Sequence, residues 1–235
     1  MSEPDPDLPA RTAVATRALE LLEPGMTIGL GSGRAVWKVI EGIAERFPGR
    51  PPLRAAVASS GTEALARGAG LDIVELDGTV RLDLVIDGAD EIDHELGLLK
   101  GGGAALLREK LVVSAAERFV VVAEERKRVE RLGLAQRLPV EVVHFAWGDT
   151  RRRVLDLLPG GKLREVGPGV PVRTDEGHLL IDCHVPREAD LPELAAALKG
   201  TVGVVEHGLF LELADTALLG RADGSVTVVE RSGMS

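Results

Sequence analysis

The chain has 235 residues, enough for one large domain or for one domain with a smaller companion. Its 45% hydrophobic and 28% charged residues suit an ordinary globular enzyme, and a net charge of −9 argues against the basic face that nucleic acid requires. With two Trp, four Phe and no Tyr there is little to stack on bases, so an anionic ligand must be held by local donors.

In chain order, MSEPDPDLPA lacks the basic and apolar regions of a secretory signal. Residues 11–22 carry Val14, Ala18, Leu21 and Leu22 at helical spacing, and Pro24-Gly25 ends the run. TIGL (27–30) predicts a strand, AVWKVIEGIAERF (35–47) a helix and LRAAVA (53–58) a strand. GTEALARGAG (61–70) predicts a short helix, and DIVEL (72–76) and LDLVID (82–87) predict strands. GAALLREKLVVSAA (103–116) predicts a helix and FVVVA (119–123) a strand. Uninterrupted apolar strands alternating with helices predict an α/β fold, a Rossmann-like, mostly parallel sheet covered on both faces.

The texture changes near residue 137. LPVEVVHF, the glycine- and proline-rich LPGGKLREVGPGVPVRTDEGH and HLLIDCHV predict strands, while DTRRRVLDLL and ADLPELAAALKG predict helices. This order suits a small α+β domain over 137–205, inserted into a catalytic α/β domain formed by 1–136 and 206–235. The later segments GVVEHGLFLELADTALLG and SVTVVE predict strands that rejoin the first sheet. Cys183, alone, excludes an internal disulfide, reads as a small buried hydrophobe and fits a reducing cytoplasm. No stretch approaches the ~18 apolar residues of a membrane span.

Ligands of such sheets sit beyond the carboxyl ends of the strands, and three suspicious segments fall there. The run 29-GLGSGR-34, with Ser32 and Gly33 ahead of Arg34 and Ala35, can present backbone N–H groups and a helix N-terminus to a phosphate. Its alternatives are a ligand-free tight turn or a dinucleotide site. The last is weakened because the third glycine comes too early and the next strand ends in Ser59-Ser60 instead of an acid. Ser59, Ser60 and Thr62 serve either as helix caps or as phosphate contacts. In DGAD, Asp87 and Asp90 flank Gly88 and Ala89, and acids so placed are metal ligands, acid/base groups or turn formers. No His or Cys set accompanies them, so no metal is expected. Lys100 precedes Gly101, Gly102 and Gly103, a costly run unless the backbone needs close approach. By composition alone, Glu109 and Lys127 read as solvated charges.

DGADEID, KGGGAALLREK and FVVVAEERKRVERLG–LPVEV together resemble the A-type ribose-5-phosphate isomerase family, as do GLGSGRAV, ASSGTEALARGAG and GTVGVVEHGLF. The resemblance runs from Ala13 to about Leu219. It implies a cytoplasmic enzyme, a homodimer or dimer of dimers. Its activity would be the interconversion of ribose 5-phosphate and ribulose 5-phosphate in the pentose phosphate pathway, without metal or organic cofactor. It further implies Glu109 as general base, Asp87 for opening the furanose ring and Asp90 for binding hydroxyls. Lys100 and the Gly101–Gly103 amides would stabilise the enediolate. The phosphate would rest on the Ser32 loop, the Ser59–Thr62 hydroxyls or Lys127. Where the family's first loop carries two further hydroxyls, this chain has Arg34-Ala35, which keeps the backbone donors and adds a charge. The competing readings are a non-catalytic sugar-phosphate sensor, for which no DNA-reading segment is visible, and a nicotinamide-dependent dehydrogenase.

Overall fold

The computed structural model describes residues 5–231; residues 1–4 of the acidic opening and residues 232–235 lie outside that range. The elements run α1 (Leu8–Leu19), β1 (Thr27–Leu30), α2 (Arg34–Arg46), β2 (Arg54–Val57), α3 (Ser60–Gly68), β3 (Asp72–Ile73) and β4 (Leu84–Asp87). Next come β5 (Glu91–Ile92), β6 (Leu98–Leu99), α4 (Leu106–Ser114), β7 (Phe119–Glu124), β8 (Leu138–Val142) and α5 (Trp147–Leu157). The chain continues through β9 (Lys162–Leu163), β10 (Glu165–Gly167), β11 (Val170–Pro171), β12 (Leu179–Cys183) and α6 (Leu191–Lys199). It ends with β13 (Val204–His207), β14 (Leu209–Phe210), β15 (Thr216–Gly220) and β16 (Val226–Glu230).

Seven strands form the main sheet in the order β16-β15-β7-β4-β1-β2-β3, and only the β15–β16 pair is antiparallel. The α/β expectation holds, and alternation along the strands explains the layering. Ile28, Leu30, Leu84, Ile86, Val120 and Val122 pack on one face beneath α1 and α2. Val85, Val121, Ala123, Ala217 and Leu219 face the other way, against α4 and Phe210. A second sheet, β13-β8-β12-β9, carries its own core with α5 and α6.

Several boundaries differ from the sequence-based expectation. The edge strand β3 ends at Ile73 instead of residue 76, because the chain leaves the sheet edge soon after Val74 bonds Ala55. The predicted helix over 103–116 starts only at Leu106, since Gly101 (φ 105°) and Ala104 (φ 61°) hold a left-handed loop before it. The segment from Leu158 to His178 is not one strand but β9 plus a separate β10–β11 hairpin. Of the late strands, β15 and β16 rejoin the main sheet, whereas β13 belongs to the second sheet and β14 pairs with β6. The second sheet therefore keeps the chain through His207, past the expected boundary at 205. The β5–β6 hairpin, inside a stretch read as loop, forms a three-stranded sheet with β14.

Gly29 sets how closely α4 lies on the main sheet. A Cβ there would stand 2.4 Å from Val85 Cγ2 and 2.7 Å from Val112 Cγ1, so no side chain fits between β1 and α4. Gly29→Ala should therefore destabilise the protein by about 1–3 kcal/mol through overpacking, measured by urea denaturation. An unchanged midpoint would show that α4 is free to move away.

Candidate active site

The parallel order delivers the site. β1 and β4 are neighbours, so the turn after Leu30 lies against Asp87, the last residue of β4. Gly31 is required there for an unexpected reason: a Cβ would stand 1.8 Å from the Asp87 carboxyl carbon. The glycine makes room for a carboxylate. Asp87 Oδ1 accepts from the backbone N–H of Ser32 (3.1 Å) and of Gly88 (2.7 Å). Asp87 Oδ2 lies 3.0 Å from Lys100 Nζ, close enough to pair but not aligned as a hydrogen bond.

Lys100 follows β6, and its backbone N–H donates to Gly208 O (2.8 Å). Its ammonium donates to Gly88 O (2.6 Å) and lies 3.2 Å from Glu109 Oε1. Glu109 sits on the first turn of α4, facing inward and almost fully buried. It is not the solvated helix charge that composition suggested. Burial, then the negative charge of Asp87, pushes the Glu109 carboxyl up to about 8, against the pull of Lys100. Burial also raises Asp87, opposed by Lys100 and the two amides. Burial disfavours the Lys100 charge as well, yet Asp87 and Glu109 outweigh it and hold the ammonium above its ordinary value.

These groups border a cavity of about 380 Å³. Lys100, Glu109, Asp90 and the Gly101–Gly103 loop form one wall, and Gly88 and Ala89 form its floor. Asp90 Oδ2 accepts from Gly102 N–H (2.8 Å), and a Cβ at Gly102 would meet Asp90 Oδ1 at 2.9 Å. Arg164, between β9 and β10, donates to Gly101 O (2.7 Å) while paired with Asp182 of β12, which ties the glycine loop to the second sheet.

Arg11, Arg34 and Lys127 also line the cavity, each paired with an acid. Ser32, Gly33, Arg34 and Ala35 open α2, whose N-cap, Gly33 (φ 106°), makes no side-chain cap. Lys127 lies in a 3₁₀ turn directly after β7, 3.0 Å from Glu124. Arg11, buried on α1, pairs through Nε with Glu124 (2.6 Å) and through its other nitrogens with Asp5 (2.5 Å) and Asp7 (3.0 Å). Burial opposes the Glu124 charge, but Lys127 and Arg11 keep its carboxyl below the usual range.

Four expected contacts do not reach the cavity wall. Asp87 is fully buried behind Lys100, so it meets a ligand only through that lysine. Ser59 caps α3 by accepting from Thr62 N–H (3.1 Å), and its hydroxyl holds the Ser32 hydroxyl (3.1 Å). Thr62 donates to Gly31 O (2.9 Å), so both side chains shape the loop from beneath. Ser60 turns away to Asp175, through its N–H (2.8 Å) and hydroxyl (3.1 Å). Conversely, Arg11, Trp37 and Glu124 line the cavity although the sequence reading passed over them. Arg11 had a signal: it falls three residues before Val14 and seven before Ala18, on the apolar stripe of its helix.

Among the described residues, no group of three or more His, Cys, Asp or Glu side chains is placed to hold a metal ion. Nor, among them, is any helix long and apolar enough to cross a membrane.

The family model described as ribose 5-phosphate isomerase A (phosphoriboisomerase A) matches residues 55–224. Ribose-5-phosphate isomerase A of Roseiflexus castenholzii is 47% identical over 218 residues, covering 92% of this chain and 93% of its own. The Cereibacter sphaeroides protein of the same name is 42% identical over 227 residues, covering 93% of this chain and 90% of its own. Among solved structures, ribose 5-phosphate isomerase from Plasmodium falciparum superposes with a TM-score of 0.89 at 31% identity, over 96% of this chain and 99% of that one. A D-ribose-5-phosphate isomerase in complex with phospho-erythronic acid gives 0.87 at 31% identity, over 94% and 98%. These relationships favour an enzyme over a sensing module. The chain belongs to the ribose 5-phosphate isomerase A family, and its reaction is the interconversion of D-ribose 5-phosphate and D-ribulose 5-phosphate.

Proposed function

We propose that Glu109 carries the isomerisation as a single proton shuttle. The observation that supports it is a buried carboxyl at the cavity wall, 3.2 Å from an ammonium and raised to about 8. A carboxylate with that affinity for protons is a much stronger base than a surface glutamate. In the open-chain aldose, Glu109 takes the proton from C2, and the electron pair moves to give an enediolate with charge on O1. The O2 proton passes to O1, and Glu109 returns its proton to C1, leaving the ketone at C2. Lys100 faces the developing oxyanion, where a fixed cation in a water-poor site is most effective. Of the glycine-loop amides, that of Gly102 is already given to Asp90.

Ring opening needs one proton taken from the O1 hydroxyl and one given to the ring oxygen. The Asp87–Lys100 pair supplies this transfer through Lys100, the member that reaches the cavity, and Asp90 binds sugar hydroxyls. The phosphate lies against the α2 N-terminus and the side chains of Arg11, Arg34 and Lys127. A relative solved in complex with phospho-erythronic acid supports a site for an anionic sugar phosphate.

The same reading places the protein in the cytoplasm, in the non-oxidative branch of the pentose phosphate pathway, as a homodimer or dimer of dimers. The buried free thiol of Cys183 is consistent with a reducing compartment, and the exposed Phe145, Val166 and Val202 offer apolar surface to a second copy.

Glu109→Gln should bind ribose 5-phosphate normally yet lose kcat by about 10²–10⁴-fold in a ribulose 5-phosphate formation assay. Normal turnover by that variant would refute the shuttle. Ribose lacking its phosphate should show kcat/KM lower by orders of magnitude, and equal values for the two sugars would refute the phosphate site.

A further inference from the structure

Lys110, the residue after Glu109, points away from the cavity into a second buried network. Its ammonium donates to Glu206 Oε1 (2.8 Å), His207 O (2.9 Å) and Leu209 O (2.9 Å). An ammonium has three donors, and all three are used. Lys199 pairs with the other Glu206 oxygen at 2.9 Å, holding the acceptor in place. The ring of Phe210 lies 4.6 Å from the partly buried Lys110 Nζ and 5.5 Å from the buried Lys100 Nζ, so one aromatic residue contacts both cations.

The segment that receives Lys110 is also the one that fixes Lys100. Gly208 accepts the Lys100 backbone N–H (2.8 Å) and donates its own N–H to Pro139 O (2.8 Å). A Cβ at Gly208 would stand 2.2 Å from Lys100 O, so the two backbones meet without a side chain between them. Beyond it, Leu209 pairs with Leu99 and Phe210 with Leu98. Residues 206–210 thus form a frame between the two sheets. Lys100 hangs from it through its backbone, and α4 hangs from it through Lys110.

We infer that Lys110 is a positioning residue for the isomerisation: by clamping α4 to residues 206–210, it sets the spacing of Glu109 from Lys100. This rests on Glu109 being the base. The geometry implies that, without the clamp, the two groups at 3.2 Å are no longer referenced to one rigid body. A displacement of about 1 Å in a reacting group is enough to cost on the order of 10²-fold in rate.

The test compares Lys110→Met, Lys110→Arg and Glu206→Gln with the parent and with Glu109→Gln. Each is assayed for kcat, KM, the isotope effect with ribose 5-phosphate deuterated at C2, and thermal midpoint. Lys110→Met should lower kcat by about 10–100-fold with KM within about threefold, and should raise the isotope effect as proton abstraction becomes rate-limiting. Lys110→Arg, which keeps the charge and donors, should recover part of that loss, and Glu206→Gln should show a smaller loss of the same kind. If Lys110→Met does not fold, the Glu206→Gln and Lys110→Arg results decide. Folded variants with parental kcat and isotope effect would overturn the inference. So would losses of activity that track only the unfolded fraction. If Glu109→Gln itself turned over normally, the base assignment would fail instead, a result distinct from either.

Discussion

One buried ammonium holds together two carboxylates that would otherwise repel each other. Asp87 and Glu109 approach Lys100 from opposite elements, at 3.0 and 3.2 Å, and all three are nearly or fully removed from solvent. In such surroundings one cation balances one anion, and a second carboxylate is charged only at considerable cost. Asp87 has two backbone amides to favour its charge, whereas Glu109 has Lys100 alone. Burial and then the Asp87 charge therefore hold the Glu109 carboxyl up at about 8, so its ionised form binds a proton more tightly than an ordinary glutamate.

Much of the surrounding architecture follows from seating that cluster. Gly31 leaves space for Asp87, Gly29 lets α4 settle onto the sheet, and Gly208 lets two backbones meet at Lys100. Each glycine removes a Cβ at a point of close approach. Asp182 of the second sheet holds Arg164 against the glycine loop and Glu206 of the same sheet holds Lys110, so that sheet braces this wall of the cavity. Arg11, Arg34 and Lys127 line the same cavity, with Glu124 bridging Arg11 and Lys127.

The main sheet was legible because β1, β2, β4 and β7 are largely apolar runs, and the convergence of the segments after β1, β2 and β4 marked the site. The β5–β6 hairpin was not, since two-residue strands carry no measurable alternation. The end of the second sheet was misjudged because Val204–His207 and Leu209–Phe210 read as one apolar stretch, although they pair in different sheets. At the site, DGAD and KGGG stood out by composition, but Glu109 did not. A glutamate within LLREK has the look of any helix charge, and only the resemblance singled it out. Ser59 and Thr62 were ambiguous between capping and ligand binding; they cap and brace. Arg11 was overlooked because its partner, Glu124, lies 113 residues away.

Burial among these charges raises the Glu109 carboxyl far above an ordinary glutamate, and titrating it measures that shift. Protein labelled with ¹³C at the glutamate carboxyl carbon would be followed by NMR from about pH 4 to about pH 10, with Glu109→Gln identifying the resonance. A raised value means that Glu109 stays protonated through the ordinary carboxylate range and ionises only as the pH climbs further. Its stabilising contribution is therefore intact below the usual value and lost as pH rises through the folded one. The account predicts an inflection near 8. An inflection near the ordinary 4.5 would contradict it.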